Sequence, residues 1–104
     1  MGKPVPIQKT QSKEQKIKEL ESMLLAMTQG IVDSPEEIMV FPGLGEGFVH
    51  FEVRCSNSDA GTLIGTRGIH AEAIRTLMTA AGAVRKIRVT LLILAKDGNQ
   101  YTPK

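Results

Sequence analysis

Leu63-Ile64-Gly65-Thr66-Arg67-Gly68-Ile69-His70-Ala71-Glu72-Ala73-Ile74-Arg75-Thr76-Leu77-Met78-Thr79-Ala80-Ala81 is the part of the chain on which the architecture turns. Its second half places Ile74, Leu77, Met78 and Ala81 at i, i+3, i+4 and i+7, one face of an amphipathic helix. In front of that helix stands Gly65-Thr66-Arg67-Gly68, a four-residue turn carrying one cation. Ala60, Leu63 and Ile64 lead into the turn as a second, shorter apolar segment. The reading is helix, glycine-bounded turn, helix. Glycine permits backbone conformations closed to other residues and lets another backbone come near. The first N–H groups of the second helix lack internal partners and sit at the positive end of its dipole, which suits an anion. Arg67 adds a planar, permanently charged donor. The same two glycines would equally serve a tight helix–helix turn with no ligand.

Downstream, residues 86–95 alternate as a strand, with Ile87, Val89, Leu91, Ile93 and Ala95 on one face and Arg88, Thr90, Leu92 and Leu94 on the other. The helix before it is expected to stop near Ala81-Gly82, and residues 97–104 read as a polar tail with a turn at Asp97-Gly98. Upstream, Phe48 to Cys55 alternates in the same way: Val49, Phe51, Val53 and Cys55 against Phe48, His50, Glu52 and Arg54. A short strand over residues 37–41 precedes it, and Pro42-Gly43-Leu44-Gly45-Glu46-Gly47 reads as a long hairpin loop. That loop lacks the Gly-Lys-Ser/Thr ending of a phosphate-binding motif. Ser56-Asn57-Ser58 offers oxygens to cap the helix that leads into the glycine turn. Further back, Ser12 with Gln15 fits a capping box, and Ile17, Leu20, Met23, Leu24 and Met27 form a core stripe ended by Gly30. Residues 1–11, with Pro4 and Pro6 and no periodicity, read as a disordered tail.

The residues Asp59, Gly61, Leu63, Ile64, Gly65, Gly68, Ala71, Ala73, Ile74, Arg75, Thr76, Leu77 and Ala81 resemble the centre of a KH domain, in which an Ile-Gly-x-x-Gly loop joins two helices. The likeness is greatest to the small bacterial single-KH proteins of the KhpA group and covers about residues 14–95. It implies an α+β protein of the type II KH fold, order α-β-β-α-α-β. A three-stranded sheet would be covered on one face by three helices, with the domain spanning 12–96. It further implies single-stranded RNA as the ligand. Gly65 and Gly68 would give close approach, Thr66 and Arg67 would contact phosphate, and Ile64, Ile69 and Ile74 would shape an apolar floor. Arg75 would lie further along the helix. The groove would have the glycine loop on one side and Pro42–Gly47 on the other. The family commonly has Lys at the position of Thr66, a cation at Ile69, and Lys at Glu72 and Thr79. Those cations are missing here, so binding should be weak and of low sequence specificity. The other reading is a KH-fold module whose partner is a protein.

Charge and composition fit a polyanion-facing surface. The net charge is +2, but residues 12–55 carry eight acids against four bases, and residues 56–96 carry six bases against two acids. One cysteine excludes an internal disulfide and an ordinary cysteine metal site. His50 and Cys55 fall on opposite faces of their strand and His70 stands alone, so no nucleophile–base pair or metal set is visible. A non-enzyme without cofactor or metal is expected. No apolar run is long enough to span a bilayer, no signal pattern opens the chain, and Pro6 breaks the myristoylation motif after Gly2. A cytoplasmic place follows by elimination. Leu92 and Leu94, set beside Phe48 on the outer sheet face, point to a dimer with a second copy or a second KH protein, through this face or the adjacent helix.

Overall fold

The computed structural model describes residues 12–104. The tail expected over residues 1–11 lies outside them. Helix α1 (Lys13–Gln29) begins where Ser12 Oγ accepts the Gln15 N–H at 3.1 Å, and buries Ile17, Leu20 and Leu24. Met23 is 37% exposed; the place next in the stripe belongs to Thr28, whose hydroxyl donates to Leu24 O at 2.8 Å and is thereby satisfied inside. A 3₁₀ turn (Pro35–Glu37) leads to β1 (Met39–Gly45), paired antiparallel with β2 (Phe48–Cys55). Then come α2 (Asn57–Ile64), α3 (Ile69–Val84), β3 (Arg88–Ala95) and β4 (Gln100–Tyr101).

The sheet is mixed, in the order β1-β2-β3-β4, with β2 and β3 parallel and β4 antiparallel to β3. The expected α-β-β-α-α-β order is present, but the sheet has four strands rather than three. The fourth comes from the segment read as a polar tail, where two residues are too few for alternation to register. The long hairpin loop is also corrected. Pro42, Gly43, Leu44 and Gly45 belong to β1, and the chain reverses over Glu46-Gly47 alone, with Gly47 at φ 76°. β1 is an edge strand, so a proline without an N–H and glycines without side chains cost it little. The Phe48 ring lies over Gly45, where a Cβ would strike it.

Every second residue of β2 and β3 (Val49, Phe51 and Val53; Val89, Leu91 and Ile93) is buried against the helices. Together with α1 and with Leu63, Ile74 and Met78 they make one core. The register corrects the far face. Phe48 pairs with Arg88, whereas Leu92 and Leu94 pair with Glu52 and Arg54, four and six residues further along β3. Their apolar neighbours are Phe41 and Met39, the β1 partners of Glu52 and Arg54. Arg54 covers part of this group, its guanidinium 4.6 Å from the centre of the Phe41 ring. Leu92 and Leu94 are accordingly half-buried rather than bare.

Candidate nucleic-acid interface

The Gly65–Gly68 loop grows directly out of the end of α2. Gly65 caps that helix with φ 75° and ψ 170°, donating its N–H to Gly61 O at 2.8 Å. Thr66–Gly68 then forms a 3₁₀ turn, closed by the Gly68 N–H on Gly65 O at 3.0 Å. Within it Arg67 is left-handed (φ 56°, ψ 25°), and Gly68 follows at φ 79°. A left-handed conformation costs a side-chain-bearing residue about 1–2 kcal/mol. Arg67 accepts that strain at an exposed tip between the two glycines.

Both glycines are required by more than their φ values. A Cβ at Gly65 would lie 2.8 Å from the His70 ring. His70 Nδ1 bonds Thr62 O at 2.7 Å, so the ring closes the last turn of α2. Among the described residues this gives His70 a structural task. A Cβ at Gly68 would fall on the Tyr101 hydroxyl. The glycine turn therefore faces β4.

The remaining expected contacts divide. Thr66 and Arg67 are exposed and adjacent. Ile69 is 63% exposed beside them, and Ile64 is half-buried, packed against the core. Ile74, at 6%, is a core residue and offers a ligand nothing directly. Arg75 is half-buried, with Nε 3.4 Å from Glu72 Oε1. Leu77, expected inside, is 56% exposed: α3 buries Ala71, Ile74, Met78 and Ala81 instead, a face turned by one small residue. Arg85 is held by Glu19, Nε to Oε1 at 3.0 Å, and by Ala81 O at 2.9 Å.

The expected second wall of the groove is not there. The β1–β2 turn sits at the Phe48–Arg88 end of the sheet, where Gly47 O accepts the Arg88 N–H at 3.0 Å. Tyr101, which touches Gly68, pairs with Ile93. Five residues of strand separate those two rows, roughly 16 Å. The wall that does face the glycine loop is the outer edge of β3, with β4 upon it. Tyr101, Glu72 and Lys104 belong to this surface and went unsuspected. The one tyrosine in a chain poor in aromatics was the available signal.

The other reactive side chains are quiet. His50 Nδ1 bonds Thr90 Oγ1 at 2.7 Å across the sheet. Cys55 is buried; burial pushes its thiol up, and the carboxylates of Asp59 and Asp97 push in the same direction. No group of three or more His, Cys, Asp or Glu side chains fit to hold a metal occurs among the described residues. None of the described helices is long and apolar enough to cross a membrane.

Comparison with known proteins bears on the same segment. The family model described as KhpA/KhpB, KH domain, matches residues 21–93. The chain is 31% identical to the RNA-binding protein KhpA of Listeria monocytogenes over 75 residues, which is 72% of this chain and 99% of that protein. It is 32% identical to the RNA-binding protein KhpA of Treponema pallidum over 74 residues, 71% of this chain and 92% of the relative. With the RNA-binding protein KhpA of Borreliella burgdorferi the identity is 41% over 68 residues, 65% of this chain and 83% of the relative. No solved structure matches the chain significantly.

Proposed function

The chain belongs to the KhpA/KhpB family of KH domains, and from that premise we propose that it binds single-stranded RNA through the Gly65–Gly68 loop. The observation that carries the reading is the left-handed, exposed Arg67 between two glycines, at the start of α3. Glycine loops of this kind clamp about four nucleotides by backbone contact. Arg67 and Thr66 meet phosphate, while Ile69 and Ile64 give the bases an apolar rest. The protein works as a cytoplasmic binding module rather than an enzyme. With Arg75 engaged by Glu72, and Arg85 by Glu19, few cations remain for phosphate, so affinity is low and sequence preference slight.

The test is Thr66→Asp with Arg67→Asp, which sets two carboxylates where phosphate must sit and leaves both glycines in place. Binding to a mixed-sequence single-stranded RNA should fall tenfold or more in a protein with an unchanged melting curve. A folded double variant that binds like the parent sinks the assignment.

A weak single module gains from pairing, and dimer formation is part of the reading. The outward side of α3 supports it better than the far sheet face does. Ile69, Ala73, Leu77, Ala80 and Val84 follow one another at helical spacing and are all exposed, Leu77 at 56% and Val84 at 82%. Leu77→Glu with Val84→Glu should weaken self-association at least tenfold in sedimentation, and Leu92→Thr with Leu94→Thr should leave it unchanged. A parent that stays monomeric at high micromolar concentration removes the dimer.

A further inference from the structure

The RNA reading leaves one element unexplained: the C-terminal segment that lies on the glycine loop. We propose that Gln100–Lys104 is an internal occupant of the RNA groove, so that RNA binds as this strap is displaced; the inference rests on the RNA reading above.

The contacts of the strap and of the turn before it run from the first turn of α2, across the glycine turn, to the first turn of α3. At its near end the Asp97 N–H donates to Asn57 Oδ1 at 2.8 Å, in the first turn of α2. The chain then reverses, with Gly98 at φ 95° and the Ala95 N–H on Asn99 O at 2.8 Å. Leu94 pairs with Gln100 and Ile93 with Tyr101, so Tyr101 shares the helix-facing side with the buried Ile93. Its ring packs against the core and its hydroxyl rests on Gly68. Pro103 is buried, and the Lys104 N–H donates to Glu72 Oε2 at 2.6 Å, in the first turn of α3.

The chemistry of these contacts is that of a stand-in. Gly68 lets a ribose or phosphate oxygen come against the backbone, and the Tyr101 hydroxyl takes that place. The outer edge of β3 presents backbone groups to a neighbour, and β4 takes them. Glu72 would repel phosphate; here its carboxylate holds the strap. The hold is also light. β4 is two residues long, and Gln100, Thr102 and Lys104 are exposed, which places the strap among segments that open locally at small cost. It lies beyond the residues that the family model matches, which end at 93. A device added outside the shared domain can regulate it without altering its loop.

The arithmetic is that of a competent fraction. A strap open about a tenth of the time weakens apparent affinity about tenfold. Leu94→Cys with Gln100→Cys, in a Cys55→Ala background, tests this. The two are direct partners across an antiparallel pair, within reach of a disulfide. Anisotropy of a labelled mixed-sequence single-stranded RNA is read on the same protein oxidised and reduced, which cancels any effect of the substitutions on folding. Tyr101→Ala supplies the open state. Fluorine NMR of 3-fluorotyrosine reports the parent's strap directly, since Tyr101 is the one tyrosine in the chain. The expected results are binding lost on oxidation and restored on reduction, and up to about tenfold tighter than the parent in Tyr101→Ala. The fluorine resonance should move towards its solvent-exposed position as RNA is added. Equal affinity oxidised and reduced overturns the strap and leaves RNA binding standing. Weaker binding by a folded Tyr101→Ala overturns it too, making Tyr101 an RNA contact. RNA binding by none of these proteins overturns the RNA reading and the strap with it.

Discussion

Gly82→Ala is expected to destabilise the protein by about 2–3 kcal/mol, at a helix position where alanine ordinarily stabilises by about 1 kcal/mol. Gly82 is buried in the last turn of α3 and has an ordinary helical backbone, so conformational freedom is not the reason for the glycine. The reason is approach. The chain turns back at once into β3, with the Ile87 N–H on Gly82 O at 2.8 Å. A Cβ on Gly82 would strike the Ile87 carbonyl oxygen and lie 2.7 Å from Val89 Cγ2. The valine methyl can yield; a backbone carbonyl at the head of a central strand cannot, short of moving α3 off the sheet. The midpoint of thermal unfolding should drop by roughly 8–24 °C, at about 4–8 °C per kcal/mol for a domain of this size. A variant as stable as the parent would show that the α3–β3 packing gives way more easily than its close contacts indicate.

The same glycine shows what sequence could and could not tell. Read along the chain, Gly82 is a helix stop, yet α3 continues to Val84. A terminator and a contact point leave the same letter, and only the return of β3 onto the helix tells them apart. The elements with a long, clean period were legible. β2 is found at its expected bounds, and Ser12 and Ser56 cap α1 and α2 as their side chains promised. Pro42 and two glycines, Gly43 and Gly45, concealed most of β1, because residues that break a central strand are tolerated at an edge. The strongly periodic face of α3 misled by one residue. Ala71 is small enough to be overlooked as core, and including it turns the buried stripe away from Leu77.

The candidate site was legible in its loop and not in its walls. Gly65, Thr66, Arg67 and Gly68 stand together because they are contiguous, and the two flanking helices follow from local periodicity. The KH resemblance implied Ile74 for the groove floor, whereas helical spacing put it on the apolar face of α3, and packing follows the spacing and gives it to the core. The wall opposite the loop depends on which strand edge is nearby. That is a matter of sheet order, set by a parallel crossover between β2 and β3 that brings together residues about forty apart. Tyr101 reaches Gly68 through this non-local route alone.

Asp59→Ala should cost the most of any single substitution near the site, about 3 kcal/mol, although Asp59 touches no residue of the loop's tip. Asp59 stands in the first turn of α2, where a carboxylate answers the dipole of its own helix. Its oxygens do more. Oδ1 accepts the Asp33 N–H and Oδ2 the Ser34 N–H, each at 3.1 Å, from the connection between α1 and β1. The side chain is 2% exposed, so alanine would leave two backbone donors facing a small void without acceptors. Each bond to a charged acceptor contributes about 1.5–3 kcal/mol, part of which water entering the void would restore. Asp59→Asn keeps one acceptor and turns an amide N–H₂ towards the other donor, so it should cost roughly half as much. Ser56 Oγ, which accepts the Asp59 N–H at 3.2 Å, is untouched by either change, so α2 keeps its cap. RNA affinity in the fraction that stays folded should therefore be near the parent's. Chemical denaturation of the two variants beside the parent reads the order. Asn as costly as Ala would mean that the pair of bonds acts as a unit; no loss in either would mean that the 33–34 connection holds its position without Asp59.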